Sequence, residues 1–154
     1  VLPHCVVSST QTMNNAPCRF KMASHTADVA VEVYGGDVSA LLVNAAHALN
    51  FIVFSKVDIR STTERTVRLQ SIDNDTLLID WLNELIYMLD AEQTIFGEFR
   101  VLHHSSGSAE MLCRGETIDP ARHRQTREVK AATYYGVHIE TDAQGYTARV
   151  IFDV

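Results

Sequence analysis

The stretch "DVAVEVYGGD", residues 28–37, joins a strand-like pattern directly to the start of a helix. Its three valines occupy alternate positions, which is typical of a β-strand with one buried face. The glycine pair then interrupts the strand, and Asp37 carries a side chain that can cap a helix. Apolar residues follow at spacings of three and four as far as Ile52. This order predicts a strand followed by an amphipathic helix that packs on a sheet.

A second helix is predicted by "DNDTLLIDWLNELIYMLD", residues 73–90. Its apolar stripe includes Trp81, and Asn74 or Asp75 is the predicted N-cap. The rest of the chain contains shorter alternating segments separated by turn-forming residues, which predict further strands. These segments are residues 18–23, 63–70, 94–104, 108–116, 128–140 and 146–154.

Strands and helices are grouped along the chain and do not alternate strictly, which favours an α+β fold over a parallel α/β fold. We therefore predict a two-layer sandwich in which two main helices pack on a largely antiparallel β-sheet. Residues 1–17 are polar and aperiodic and are predicted to form a flexible N-terminal extension. Residues 18–154 are predicted to form a single domain.

Composition limits the compartment and the class of protein. Apolar residues make up 46% of the 154 residues and charged residues 21%, as in ordinary globular proteins. No apolar run approaches the roughly 20 residues that cross a bilayer, so no membrane partner is expected. The three cysteines show no paired spacing and support neither a disulfide framework nor a zinc site. We expect reduced thiols in a cytoplasmic protein, or a nuclear one if the source is eukaryotic.

Charge is unevenly distributed along the chain. The net charge is -6, which argues against nucleic-acid binding over the whole surface. Residues 69–99 contain seven acidic residues and no Lys or Arg, whereas "ARHRQTREVK", residues 121–130, is rich in basic residues. We predict an acidic side and a basic corner, with ordinary solvated faces as the alternative interpretation.

Two aspartates at opposite ends of the domain are candidate metal ligands. Asp153 lies on the polar face of the last predicted strand, and Asp28 starts the strand "DVAVEVYG". If these strands are antiparallel neighbours, both carboxylates converge with the carboxylate of Val154. Such a cluster persists only with raised pKa values or with a cation between the carboxylates, and an all-oxygen site suits Ca²⁺, Mg²⁺ or Mn²⁺. The alternative is that Asp28 caps a turn and Asp153 ends the chain in solvent.

Five further residues are candidates for supporting or partner-facing roles. His25 could orient a ligand or transfer a proton, or be structural. Asp80 and Glu84 stand one turn apart on the second helix and could bind an ion, face a partner or be solvated. His123 could hold phosphate together with its neighbouring arginines, although basic turns are common. Lys130 could contact a nucleotide phosphate or pair with a neighbouring acid.

Common catalytic motifs are missing from the sequence. It contains no GxxxxGK[ST], GxSxG, HExxH or CxxC pattern. No motif therefore predicts an ATPase or a hydrolase, and we assign no catalytic residue.

The order of several segments resembles the archease family. These segments are "SHTADVAVEVYGGD", "LLVNAAHAL", "LLIDWLNELIYMLD", "GETIDPARH", "EVKAATYYGVHIE" and the closing "VIFDV". The resemblance runs from about Phe20 to Val154. It implies a small acidic protein that is not an enzyme and that activates the RtcB-type RNA ligase of tRNA splicing. That ligase carries GMP on a histidine, and archeases promote its guanylylation and multiple turnover.

The resemblance also implies a metal site, formed by Asp28, Asp153 and Val154, with Ca²⁺ as the first candidate and Mg²⁺ or Mn²⁺ as alternatives. The implied partner is the ligase, with tRNA contacted indirectly. Ser24 departs from the family, whose members often have an acid there. Two other functions remain open, namely a chaperone-like RNA-binding modulator of RNA-modifying enzymes and a metal-dependent phosphoester enzyme.

Overall fold

Two long helices form as the apolar spacing predicts. In this computed structural model, which describes residues 19–23 and 28–154, helix α1 spans Val38–Phe54 and helix α2 spans Asn74–Glu92. Asp37 caps α1 by accepting a hydrogen bond from the backbone N–H of Ala40 at 2.7 Å. The cap of α2 is Asp73, not the predicted Asn74 or Asp75. The error is one residue, because three consecutive residues there have side chains that can cap.

The strands of the described residues form two antiparallel sheets, not one. The five-stranded sheet has the order β1-β2-β8-β6, and β7 also pairs with β8. The three-stranded sheet has the order β3-β5-β4. The strands are β1 Phe20–Ala23, β2 Val29–Gly35, β3 Thr63–Gln70, β4 Thr94–Ser105, β5 Ser108–Thr117, β6 Ala131–Thr133, β7 Ile139–Asp142 and β8 Gly145–Asp153.

The prediction of one continuous strand over residues 128–140 is wrong. The chain forms β6, turns at residues 134–138 and then forms β7. Gly136 adopts a φ of 65° inside that turn, a conformation that suits glycine. Both short strands pair with β8, β6 near its C-terminal end and β7 near its N-terminal end. The alternating pattern does correspond to β-structure, but to two short strands that pair with different parts of β8.

The helices contact both sheets and form the core between them. Helix α1 packs on β2 and β4, and α2 packs on β6 and β4. Trp81 of α2 is fully buried, and its indole N–H donates to the carbonyl oxygen of Leu42 in α1 at 2.9 Å. Its ring meets Phe99 edge-on with 5.8 Å between centroids. Burial of a large side chain contributes about 1.5–3 kcal/mol to the stability of the folded state. Through its two contacts, Trp81 ties both helices to the three-stranded sheet.

The predicted α+β class with two helices on antiparallel strands is confirmed. The predicted N-terminal extension, residues 1–17, lies outside the described residues. Within the part of the chain that the structure describes, no helix is long and apolar enough to cross a membrane.

Candidate metal-binding corner and its surroundings

The register of β2 and β8 brings the two candidate aspartates to the same end of neighbouring strands. Val29 pairs with Phe152 across this antiparallel ladder. The next position outward places Asp28, just before β2, beside Asp153, the last residue of β8. Opposite residues in such a ladder lie about 4.5–5.5 Å apart at Cα. Asp153 is exposed and Asp28 is half-buried, so solvent reaches this end of the sheet.

Strand β6 brings a lysine to the same place. Ala131 pairs with Asp153, and the backbone N–H of Lys130 donates to the carbonyl oxygen of Asp153 at 2.8 Å. The Lys130 side chain is exposed. We call the group formed by Asp28, Lys130, Asp153 and Val154 the C-terminal corner. The backbone of Lys130 therefore lies beside the last residues of β8, and its side chain extends into solvent.

The donor chemistry of the C-terminal corner fits a hard cation. Carboxylate oxygens are the ligands preferred by Ca²⁺ and Mg²⁺, and the corner offers Asp28 and Asp153 with the main-chain carboxyl of Val154. Within residues 19–23 and 28–154, no three His, Cys, Asp or Glu side chains stand close enough to hold a metal. A cation bound at the corner would therefore need a main-chain group as its third ligand. His25, another predicted site residue, lies outside the described residues.

Asp80 ties three elements together. Its carboxylate accepts hydrogen bonds from the hydroxyl of Ser71, at 2.5 Å, and from the hydroxyl of Tyr134. The bond to Asp80 raises the pKa of Tyr134, with a further contribution from burial. Glu84 is half-buried one turn along α2. The structure thus uses Asp80 to hold the β6–β7 turn against α2, while Glu84 keeps partial contact with solvent.

Asn83 is a residue that the sequence analysis missed. Its side-chain amide donates to the carbonyl oxygen of Ala132 at 3.1 Å and accepts from the N–H of Ala132 at 2.8 Å. This pair of bonds fixes β6 to α2 one residue from the Ala131–Asp153 pair. The only signal in the sequence is an amide beside the apolar stripe of a helix, which is common on solvated faces. Asn83 positions the strand that carries Lys130.

His123 lies inside the fold, where it can support the structure but not hold a phosphate at the surface. Its side chain is fully buried. The backbone N–H of Asp119 donates to Nδ1 at 2.8 Å, so Nδ1 is an acceptor and the proton of a neutral ring lies on Nε2. Nε2 faces the carbonyl oxygen of Asp58 and a carboxylate oxygen of Glu116, each at 3.2 Å. Both ring nitrogens are used inside the fold, because the ring anchors the loop after β5.

Glu116 forms the centre of this buried group. It accepts hydrogen bonds from the guanidinium of Arg122 and from the backbone N–H of Arg60. The Arg122 bond is the main cause that lowers the pKa of Glu116 to about 2. We call Glu116, Arg122 and His123 the loop cluster. Two members of the predicted basic corner are thereby committed to the fold, whereas Arg124 is exposed.

Comparison with known proteins identifies relatives along nearly the whole described chain. Residues 20–154 match the archease protein family. The chain is 34% identical to the archease of Methanosarcina mazei over 140 residues, which cover 88% of this chain and 96% of that protein. It is 31% identical to the archease of Pyrococcus furiosus over 134 residues, which cover 84% of this chain and 94% of that protein.

Two solved structures share the fold. The solution structure of a Methanobacterium thermoautotrophicum protein has a TM-score of 0.74 and 31% identity, and the match covers 88% of this chain and 99% of that one. A crystal structure from Thermotoga maritima, described as an archease and "possible chaperone", has a TM-score of 0.61 and 20% identity, covering 94% and 100%. The family match and the identity across most of the chain show that this chain belongs to the archease family.

Proposed function

We propose that this protein activates an RtcB-type RNA ligase in tRNA splicing, promoting guanylylation of the ligase and its multiple turnover, and that it is not itself an enzyme. Family membership supports the partner class. The observation that most supports the proposal is the β2–β8 register. It aligns Val29 with Phe152, so that Asp28 and Asp153 lie at the same end of neighbouring strands. The proposed compartment is the cytoplasm, or also the nucleus if the source is eukaryotic.

The proposed metal ligands are Asp28, Asp153 and the main-chain carboxyl of Val154, with Ca²⁺ as the first candidate and Mg²⁺ or Mn²⁺ as alternatives. A bound cation would supply positive charge to phosphate oxygens. Lys130 would contribute a second positive charge at the same place. The Lys130 backbone N–H donates to the Asp153 carbonyl oxygen at 2.8 Å, which fixes the backbone of this lysine relative to the end of β8.

The chain's own contribution is positioning. Strands β2, β8 and β6 present the corner from a packed sheet, and Phe152, next to Asp153, is fully buried. A rigid support of this kind fixes charged groups relative to a reacting phosphate at no further entropic cost during the reaction. The net charge of -6 favours association with a basic, RNA-binding partner.

The direct test is ligase guanylylation with GTP, measured with and without this protein. Asp28→Asn should abolish stimulation and leave the fold intact, because the side chain keeps its size and loses its charge. Glu140→Gln is the matched control, since Glu140 is an exposed acid on β7 away from the corner. Addition of a chelator should reduce wild-type stimulation to the Asp28→Asn level. Full stimulation by Asp28→Asn would refute the proposal.

A chaperone-like RNA-binding function is the second candidate, favoured by exposed Arg124 and Arg127. It predicts tRNA binding by the purified protein alone, with an affinity that falls steeply as salt rises. Arg122 and His123 do not support it, because they are committed to the loop cluster.

A further inference from the structure

Three large apolar or aromatic side chains near the N-terminal half of α2 are highly exposed to solvent. Ile72 is 89% exposed, Tyr135 is 85% exposed and Tyr134 is 54% exposed. They come from the β3–α2 connection and from the β6–β7 turn, which are distant in sequence. We infer that this surface, called the docking face, binds a basic, arginine-containing segment of the partner protein.

A shared carboxylate holds the two halves of the docking face together. Asp80 accepts from the hydroxyl of Ser71, the residue before Ile72, and from the hydroxyl of Tyr134, the residue before Tyr135. Both exposed neighbours therefore project from segments that meet at one side chain. This contact brings the two segments together, although they are distant in sequence.

The backbone under the docking face is fixed. The N–H of Ser71 donates to the carbonyl oxygen of Gly107 at 2.6 Å, which anchors the β3–α2 connection. The N–H of Ile139 donates to the Asp75 carboxylate at 2.9 Å, which anchors the far side of the β6–β7 turn. Exposed apolar groups on anchored segments lose little freedom on binding. This arrangement is typical of a binding surface.

Charge around the docking face selects the occupant. Asp73 directly follows Ile72 in the chain. Asp75 and Asp80 hydrogen-bond to the segments that form the docking face, and Glu84 lies one helical turn beyond Asp80. Residues 69–99 contain no Lys or Arg. Phosphate groups of RNA would be repelled here, and so would a second copy of this acidic chain. Arginine suits the site because its guanidinium stacks on tyrosine and pairs with carboxylates.

The docking face is close enough to the C-terminal corner for one partner to cover both. Strand β6 leads directly from Lys130 to Tyr134, four residues along extended chain, or about 13 Å. An ordinary interface covers about 800 Å² on each partner, which spans that distance. The inference thus rests on the proposed function and identifies the surface that binds the ligase, as distinct from the corner that would act on its nucleotide.

The test compares binding with stimulation in the full chain and the purified ligase. Ile72→Ser and Tyr135→Ser should each raise the Kd about tenfold, the loss expected when an exposed anchor is removed. Maximal stimulation at saturating protein should stay at the wild-type level, because the corner is unchanged. Tyr135→Phe should bind like wild type. Leu102→Ser is the control, since Leu102 is 45% exposed on the three-stranded sheet and should leave the Kd unchanged.

Charge reversal tests the chemistry of the occupant. Glu84→Lys should raise the Kd, whereas a fall in the Kd would overturn the basic partner. An unchanged Kd for the Ile72→Ser, Tyr135→Ser double variant would overturn the docking face and leave the proposed function standing. A wild-type dimer that the double variant dissociates in sedimentation would also overturn it. If wild-type protein neither binds nor stimulates the ligase, the proposed function fails as well.

Discussion

The loop cluster and the C-terminal corner both contain acidic and basic residues, and the two regions differ in how far solvent reaches them. In the loop cluster, Glu116 is 5% exposed and accepts bonds from Arg122 and Arg60. In the C-terminal corner, the side chains of Lys130 and Asp153 are exposed. The first region satisfies its charges within the fold, while the second presents charge at the open end of a sheet.

The difference shows why charge pattern alone is a weak guide to function. Residues 121–130 contain both Arg122, which supports the fold, and Lys130, which stands at the corner. A buried charge must be compensated internally, because desolvation is expensive. An exposed charge carries no such requirement and remains available to a ligand. Four experiments test this contrast.

Metal addition should give the largest effect, and it should depend on the corner. A ligand at about 100 times its Kd stabilises the folded state by about 2.7 kcal/mol. Calcium at that excess should raise the wild-type Tm in calorimetry, and Asp153→Asn should remove most of the rise. The Glu140→Gln variant should keep it. An equal rise in wild type and Asp153→Asn would remove the corner from consideration as the metal site.

Loss of a loop-cluster side chain should destabilise the fold without touching the corner. His123→Leu leaves the Asp119 N–H without its acceptor, and an unsatisfied buried group costs about 1–3 kcal/mol. Urea unfolding should show that loss. His103→Leu, at an exposed histidine of β4, should change the free energy of unfolding by less than about 0.5 kcal/mol. If His123→Leu is as stable as His103→Leu, the cluster does not support the fold.

Asn83 connects the interior to the corner and should affect both stability and metal affinity. Asn83→Ala removes two bonds to Ala132 and should cost about 1 kcal/mol. Asn50→Ala is a matched control, because Asn50 ties α1 to the Phe96 carbonyl oxygen of β4 through one amide bond at 2.7 Å. Calorimetric titration should show weaker calcium binding in Asn83→Ala only. Equal calcium affinity in both variants would make Asn83 a purely structural residue.

Lowering the pH should give the smallest of the four effects, which is a change in the stability contributed by Glu116 of the loop cluster. The pKa of Glu116 is about 2 in the folded protein, below the value of about 4.3 for a free glutamate. Its stabilising contribution is therefore complete above about pH 4.3 and lost as the pH falls towards 2. The difference in unfolding midpoint between wild type and Glu116→Gln should shrink over that interval. A constant difference would show that the carboxylate charge contributes nothing.

Local pattern predicted most of the fold. The two helices follow from apolar spacing and a capping aspartate, and these depend on residues within one or two turns. The pairing of two separate short strands with β8 did not follow from pattern, because alternation looks the same whichever strand lies alongside. The second sheet was missed for the same reason.

The sequence by itself determined the helices, the alternating strands, the class of the fold and the acidic character of the chain. Parity along two strands also raised the hypothesis that Asp28 and Asp153 meet. Only the tertiary structure decided that His123 is buried, that Asn83 anchors β6 and that the segments before Ile72 and Tyr135 meet at Asp80. The physical reason is that periodicity is encoded among neighbours, whereas burial and cross-element hydrogen bonds depend on residues brought together from distant parts of the chain.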